Sequence, residues 1–301
     1  MNTAQFRIGS LSSSEPKKTA FMIEHELLPN SWYEEMRDKT NIIWNIQKLD
    51  LAWRSCHENA SALREYIDSH AKELSISSEM HLLTNEAQDA LMKVTQLITN
   101  CIVSYTACLT MCEQHMERTY KEDEEKLIKW NEFRRQLHKD TFEYRLGYDL
   151  RNYTQHYGIP ISEVVFSMNS TSLKKLEVFV KTAELLSGSF NWNRDRKDEL
   201  SSVPSGTVDV NSMSVEYLSC VDKVYAGVLQ SHDEQLAECD SYIMSLRSKF
   251  RIKPHEHPVV FMGCIPPGEK VPRKREFIPA YLLDRMKNTW EEKLRFNITK
   301  H

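Results

Sequence analysis

One short stretch of the sequence carries side chains that could move a proton beside a phosphate group. In RNYTQH, Arg151 is followed directly by Asn152 and, after three more residues, by His156. Imidazole takes up and releases protons near neutral pH, and the planar guanidinium of arginine holds charged oxygens through paired hydrogen bonds. These residue types would allow acid–base catalysis, a chemistry that requires neither a metal nor another cofactor.

The spacing of this arginine and histidine is not informative by itself. An arginine followed by a histidine after four to six residues occurs four times in the chain, and about two such pairs are expected by chance. Of the four arginines in these pairs, only Arg151 is followed directly by Asn, Asp or His. About 0.2 pairs would meet this further condition by chance. The alternative interpretation is structural, because Arg and His side chains at a helix end bind the last carbonyls and favour the helix dipole.

Helix geometry predicts how these three side chains can cooperate. Asn152 and His156 lie one turn apart on the same face, so the amide could orient the imidazole. Arg151 lies about 140° around the helix from His156, so the two side chains diverge within one chain. In a twofold dimer each Arg and His can converge with those of the partner. We therefore predict a homodimer.

With Arg151, Asn152 and His156 in place, the stretch resembles the HEPN superfamily, a group of helical domains that includes many metal-independent ribonucleases of toxin and antiviral systems. The resemblance covers this short motif and the preceding helical run, about 31–157. It implies a dimeric endoribonuclease in which Arg151 and His156 are catalytic and Asn152 supports them. The implied partners are an RNA substrate, a second copy of the chain, and an antitoxin or defence-complex protein.

Two tyrosines beside the motif, Tyr153 and Tyr157, are predicted to stack on unpaired RNA bases. Some HEPN proteins carry His, any residue, then Tyr, and a nucleotidyltransferase modifies that tyrosine. In this chain Tyr157 follows His156 directly and Gly158 comes next. We therefore expect no regulation of that kind.

Two other groups of side chains could bind a metal. The segment PHEHP holds His255 and His257, which in an extended chain would project to one side and could hold zinc in a metal-dependent hydrolase. Cys108, Cys112 and His115 share a helical face, where packing in a core is the commoner role of cysteine. A non-catalytic helical interaction subunit of a defence complex is the remaining alternative.

Composition favours a helical protein in a reducing compartment. The 301 residues include only 8 Gly and 10 Pro. The net charge is −4, so the protein surface as a whole does not attract polyanions. Seven cysteines without close pairs predict reduced thiols, and residues 1–30 lack the apolar core of a secretory signal. We expect a cytoplasmic location.

One uncharged segment, Val94 to Cys112, has about the length of a bilayer span. Its Thr, Gln, Asn, Ser and Tyr side chains are costly in hydrocarbon. A stripe of alternating four- and three-residue spacing runs through it, consisting of Val94, Ile98, Cys101, Tyr105, Cys108 and Cys112. We predict a buried helix of a bundle and no membrane partner.

The predicted fold is mainly α, a helical bundle with a small antiparallel β-sheet in the C-terminal half. We expect an irregular segment over 1–30, the bundle over 31–157 and an α+β part over 158–301. Helical spacing predicts one helix over about 125–157 and another over about 212–250.

Strand-like alternation begins after Pro160. It appears in EVVFSM, in LKKLEVFVK and in TVDV (207–210), and an apolar run, VVFMGCI, follows later. NSTS suits a hairpin loop between the first two segments. We therefore predict the sheet between about 161 and 265.

Overall fold

A computed structural model describes residues 5–15, 18–24, 26–73, 80–158, 160–168 and 174–298. In these ranges the chain is mainly helical with small antiparallel sheets, which confirms the predicted fold class. The helices are α1 (Asn30–Glu73), α2 (Met80–Thr119), α3 (Glu124–Asp140), α4 (Phe142–His156), α5 (Thr182–Ser187), α6 (Arg194–Ser201), α7 (Val210–Ser231), α8 (Asp233–Lys249) and α9 (Ala280–Leu294). The strands are β1 (Phe6–Glu15), β2 (Lys18–Ile23), β3 (Glu163–Met168), β4 (Lys174–Lys181), β5 (Thr207–Asp209), β6 (His257–Met262) and β7 (Lys274–Phe277).

The chain forms two compact units whose limits differ from the predicted segments. Unit 1 combines residues 1–50 with 229–301, and unit 2 comprises residues 51–228. Neither limit falls at the predicted boundary after residue 157. The N-terminal and C-terminal segments share unit 1 because β1 pairs with β6 in a four-stranded antiparallel sheet of order β2-β1-β6-β7.

The prediction that residues 1–30 are irregular is wrong, because β1 and β2 form an antiparallel pair there. Phe6, Ile8 and Ser10 are buried at alternate positions of β1, as expected for one face of a sheet. Gly9 allows the two strands to approach closely, since a side-chain Cβ at that position would overlap the Met22 carbonyl oxygen. The serine-rich end of this segment therefore belongs to strand β1.

The predicted hairpin after Pro160 is confirmed in unit 2. Strands β3, β4 and β5 form an antiparallel sheet in that order, and the NSTS loop lies outside the described residues. Leu176, Val178 and Val180 of β4 are buried, in agreement with the predicted alternation. The VVFMGCI segment contributes β6 to the other sheet. The prediction that both β regions form a single sheet is therefore wrong.

Both long predicted helices are broken in the structure. The 125–157 segment divides at Thr141, which adopts an extended conformation between α3 and α4. Arg145 satisfies the end of α3, because its Nη1 donates to the His138 carbonyl at 2.9 Å. The 212–250 segment divides at His232, whose Nδ1 lies 2.7 Å from Gln235 Oε1 in the first turn of α8.

Helix α2 confirms the prediction that residues 94–112 form a buried helix. All six residues of the predicted stripe, from Val94 to Cys112, are at most 1% exposed. Within the described ranges, one helical segment, Gln88–Thr119, is long and apolar enough to cross a membrane, and half of its most apolar window is buried in the protein. The buried stripe identifies this segment as a core helix of unit 2.

Candidate active site

Helix α4 carries the RNYTQH motif and is held in unit 2 by its buried face. Tyr144, Leu146, Gly147 and Leu150 are all buried. The ring of Tyr144 stacks on Tyr217 of α7 with centroids 5.6 Å apart. These contacts position the last two turns of α4, on which the motif lies.

The structure places Arg151 and His156 at different positions on the end of α4. His156 is the last residue of the helix and is exposed, whereas Arg151 is partly buried. Arg151 Nη1 donates to Asn152 Oδ1 at 3.3 Å. Among the described residues, neither Asn152 nor Arg151 forms a hydrogen bond with His156.

The tyrosines that were predicted to bind RNA belong to an aromatic cluster with the loop before α6. Tyr153 stacks on Trp192 at a centroid distance of 5.8 Å and meets Phe190 edge-to-face at 5.5 Å. Tyr157 meets Phe190 at 4.9 Å and remains 50% exposed. Tyr153 therefore anchors α4 in the fold, and Tyr157 offers the larger free surface to a ligand.

A charge network fastens the middle of α4 to α6. Arg196 is only 4% exposed, and its Nε donates to Asp149 Oδ2 at 2.7 Å. Its Nη1 also pairs with Glu199, and the other oxygen of Glu199 lies 2.8 Å from Arg145 Nη2. Two arginines and two carboxylates therefore alternate in space. This pairing of charges compensates the free-energy cost of burying Arg196.

Replacing Arg196 with Met should lower the free energy of unfolding by about 1–2 kcal/mol, because the apolar stem is retained and only the charged hydrogen bonds are lost. Glu199 keeps its contact with Arg145, which limits the loss. Arg194→Met is the matched control, since Arg194 is exposed on the same helix and should change stability by at most about 0.5 kcal/mol. Equal urea midpoints for the two variants would show that the network contributes nothing.

A histidine–aspartate pair elsewhere in unit 2 was not predicted from the sequence. His57 Nε2 lies 2.8 Å from Asp222 Oδ1, and the same oxygen accepts a hydrogen bond from Trp53 Nε1 at 2.7 Å. Within the described part of the chain, His57 makes no hydrogen bond to a Ser, Thr or Cys side chain. The pair therefore lacks an activated nucleophile, and its geometry joins α1 to α7.

The buried cysteines near this pair are core residues. A hydrogen bond with the Cys108 thiol, together with burial, raises the pKa of Cys56. A hydrogen bond with Cys112 likewise raises the pKa of Cys108, so both thiols stay protonated and unreactive at neutral pH. Over the described ranges no three His, Cys, Asp or Glu side chains are grouped so that they could hold a metal ion, and this includes Cys108, Cys112 and His115.

The PHEHP segment differs from the extended chain that was assumed for a zinc site. The Glu256 N–H donates to the Lys253 carbonyl at 3.0 Å and closes a turn before β6. Glu256 is buried, and its carboxylate accepts a hydrogen bond from Ser10 Oγ at 3.0 Å. His257 packs edge-to-face against Tyr281, while His255 is exposed in the turn. The geometric premise of the zinc prediction is therefore wrong.

Two groups of residues were not predicted from the sequence, for different reasons. Phe190 and Trp192 do have a signal, since two aromatic residues in an otherwise polar loop indicate that the loop packs against the protein. His57 and Asp222 have none, because they are 165 positions apart and each occurs in an ordinary helical pattern.

No protein-family model, curated protein or solved structure matches this chain.

Proposed function

We propose that this protein is a metal-independent endoribonuclease whose active site forms where the α4 ends of two copies meet. The observation that carries the proposal is the exposed imidazole of His156 at the last residue of α4. In the described part of the chain His156 has no hydrogen-bond or ring partner. An exposed, unpartnered imidazole next to a half-exposed tyrosine suits a site that a substrate and a second subunit complete.

The reaction assigned to this site is cleavage by the 2′-hydroxyl of RNA. The imidazole of His156 removes the 2′-hydroxyl proton, and the oxygen attacks the adjacent phosphorus. The 5′-oxygen leaves and takes a proton from a water molecule, while Arg151 of the other copy holds the phosphate oxygens as negative charge develops. The products are a 2′,3′-cyclic phosphate and a 5′-hydroxyl. The HEPN resemblance of the motif is the basis for proposing a cytoplasmic toxin or antiviral defence effector.

A non-catalytic interaction subunit is the second candidate function. The observation that favours it is the Arg151–Asn152 hydrogen bond, since a helix end that satisfies its own polar groups needs no catalytic role. The two functions differ in one respect that can be measured directly, which is whether the purified protein cleaves RNA.

We expect the purified protein to cleave single-stranded RNA in the presence of EDTA and to leave cyclic phosphate ends. The same RNA with 2′-O-methyl groups should remain intact, because it lacks the attacking hydroxyl. Gel analysis of the products, with and without acid opening of the cyclic phosphate, reads out both results. Cleavage of the 2′-O-methyl RNA would refute the proposed mechanism, and so would a loss of cleavage of the unmodified RNA in EDTA. No cleavage of either RNA would support the interaction subunit.

A further inference from the structure

A cleft of about 280 Å³ opens between α2, α3 and α4 of unit 2. Helix α3 contributes Arg134, Arg135 and His138 to its lining, and α4 contributes Tyr148. Guanidinium groups beside an imidazole and a phenol form a lining suited to an anion that also carries a flat ring.

The two guanidinium groups of the cleft have different surroundings. Arg134 Nη2 pairs with Glu113 Oε1 at 2.6 Å, and Arg134 Nε is buried without a hydrogen-bond acceptor in the described structure. Arg135 is exposed and forms no ion pair with any described residue. The single carboxylate of Glu113 therefore leaves the lining with an excess of positive charge.

His138 is a further residue of the cleft lining. Burial is the largest cause that lowers its pKa, and the neighbouring charges of Arg145 and Arg196 act in the same direction. His138 is thus a neutral imidazole that can donate or accept a hydrogen bond at the inner side of an electropositive cleft.

Tyr148 supplies an aromatic surface at the opening of the cleft. Its side chain is 46% exposed and, among the described residues, makes no ring contact. The buried rings of unit 2, such as Tyr144, already pack on other aromatic side chains. A free phenol ring next to guanidinium groups is the arrangement that binds the base and the phosphate of one nucleotide.

We propose that this cleft binds a nucleoside monophosphate, with Arg134 and Arg135 on the phosphate and Tyr148 stacked on the base. The volume is at the small end of ligand pockets, which limits the occupant to about one nucleotide. Asn152 lies one helix turn from Tyr148, about 6 Å along α4, so the nucleotide would be bound close to the motif. The proposal does not depend on RNA cleavage, because binding here uses none of the motif side chains.

The test is calorimetric titration of the full-length protein with AMP, CMP, inorganic phosphate and adenosine. At least one monophosphate should bind more tightly than either phosphate or adenosine alone. Arg135→Ala and Tyr148→Ala should each weaken that binding by about tenfold or more. Arg64→Ala, an exposed helical arginine of the same unit, is the matched control and should bind like the wild type.

Three results would overturn the proposal. They are an absence of monophosphate binding at millimolar concentration, adenosine binding as tight as AMP, and wild-type affinity in the Arg135 and Tyr148 variants. His156→Ala separates this site from the proposed active site, since it should bind the nucleotide with wild-type affinity. A loss of binding in the His156 variant would place the nucleotide at the motif and not in the cleft.

Discussion

Replacement of His156 or Arg151 with Ala is expected to slow RNA cleavage by about 10²–10⁴-fold. The His156 variant would lose the group that removes the 2′-hydroxyl proton, and the Arg151 variant would lose the charge that stabilises the phosphorane. Neither change should unfold the protein, because His156 is exposed at a helix end and the Arg151 side chain makes one hydrogen bond within the described residues, to Asn152. A helix-end charge contributes at most about 1 kcal/mol to stability.

Single-turnover cleavage rates and melting temperatures of both variants provide the measurement. His255→Ala is the control, because His255 is likewise an exposed histidine and has no role in the proposed site. Asn152→Ala should have a milder effect, since it releases the Arg151 guanidinium from its neighbour without removing a reacting group. Cleavage at the wild-type rate by the His156 variant would favour the interaction subunit.

A mixing experiment tests whether the two side chains act across a dimer. If Arg151 of one copy serves His156 of the other, an equimolar mixture of the two variants regains about a quarter of the wild-type activity. Half of the dimers are then mixed, and one of their two sites contains both side chains. An inactive mixture of variants that still exchange subunits would exclude sites of this kind.

Gly147→Ala should lower the free energy of unfolding by about 2 kcal/mol, although alanine is the better helix former by about 1 kcal/mol. A Cβ at position 147 would overlap ring atoms Cδ1 and Cε1 of Tyr217. Tyr217 cannot move aside readily, because it is fully buried and packs against Tyr144 and Tyr105. The absence of a side chain at Gly147 is therefore what allows α4 to lie against α7.

Urea unfolding of Gly147→Ala and Gly227→Ala measures this effect with an internal comparison. Gly227 is also a helical glycine, but its Cβ would lie 3.1 Å from the nearest Trp130 atom, a contact that a small shift relieves. Gly147→Ala combined with Tyr217→Leu should cost less than the sum of the two single changes, because the overlapped ring is then absent. Strict additivity, or a stabilised Gly147 variant, would contradict the overlap.

The sequence by itself determined the elements whose burial pattern is local. The stripe from Val94 to Cys112 repeats every three or four residues, and every position of it is buried in α2. The alternation of Leu176, Val178 and Val180 likewise specified β4. In both cases the side chains of one segment define one face, so the period of the sequence is the period of burial.

Only the tertiary structure decided which distant segments pair. Phe6 lies opposite Met262 in the sheet of unit 1, and no local pattern in either strand indicates that these two strands pair. The break at Thr141 also depends on tertiary contact, because Arg145 reaches back to the carbonyl of His138. A helical pattern that continues through a break does not reveal which side chain will satisfy the freed carbonyls.

For the candidate site, too, some features could be predicted from the sequence and others depended on the tertiary structure. The sequence identified Arg151 and His156 by residue type and predicted their divergence from helix geometry alone, because rotation per residue is a local property. The tertiary structure decided what each side chain contacts: Asn152 faces Arg151, Tyr153 packs on Trp192, and the cleft beside Tyr148 lies among three helices. The contact of Tyr153 and the lining of the cleft join residues far apart in the chain, and their energies depend on packing that no single segment encodes.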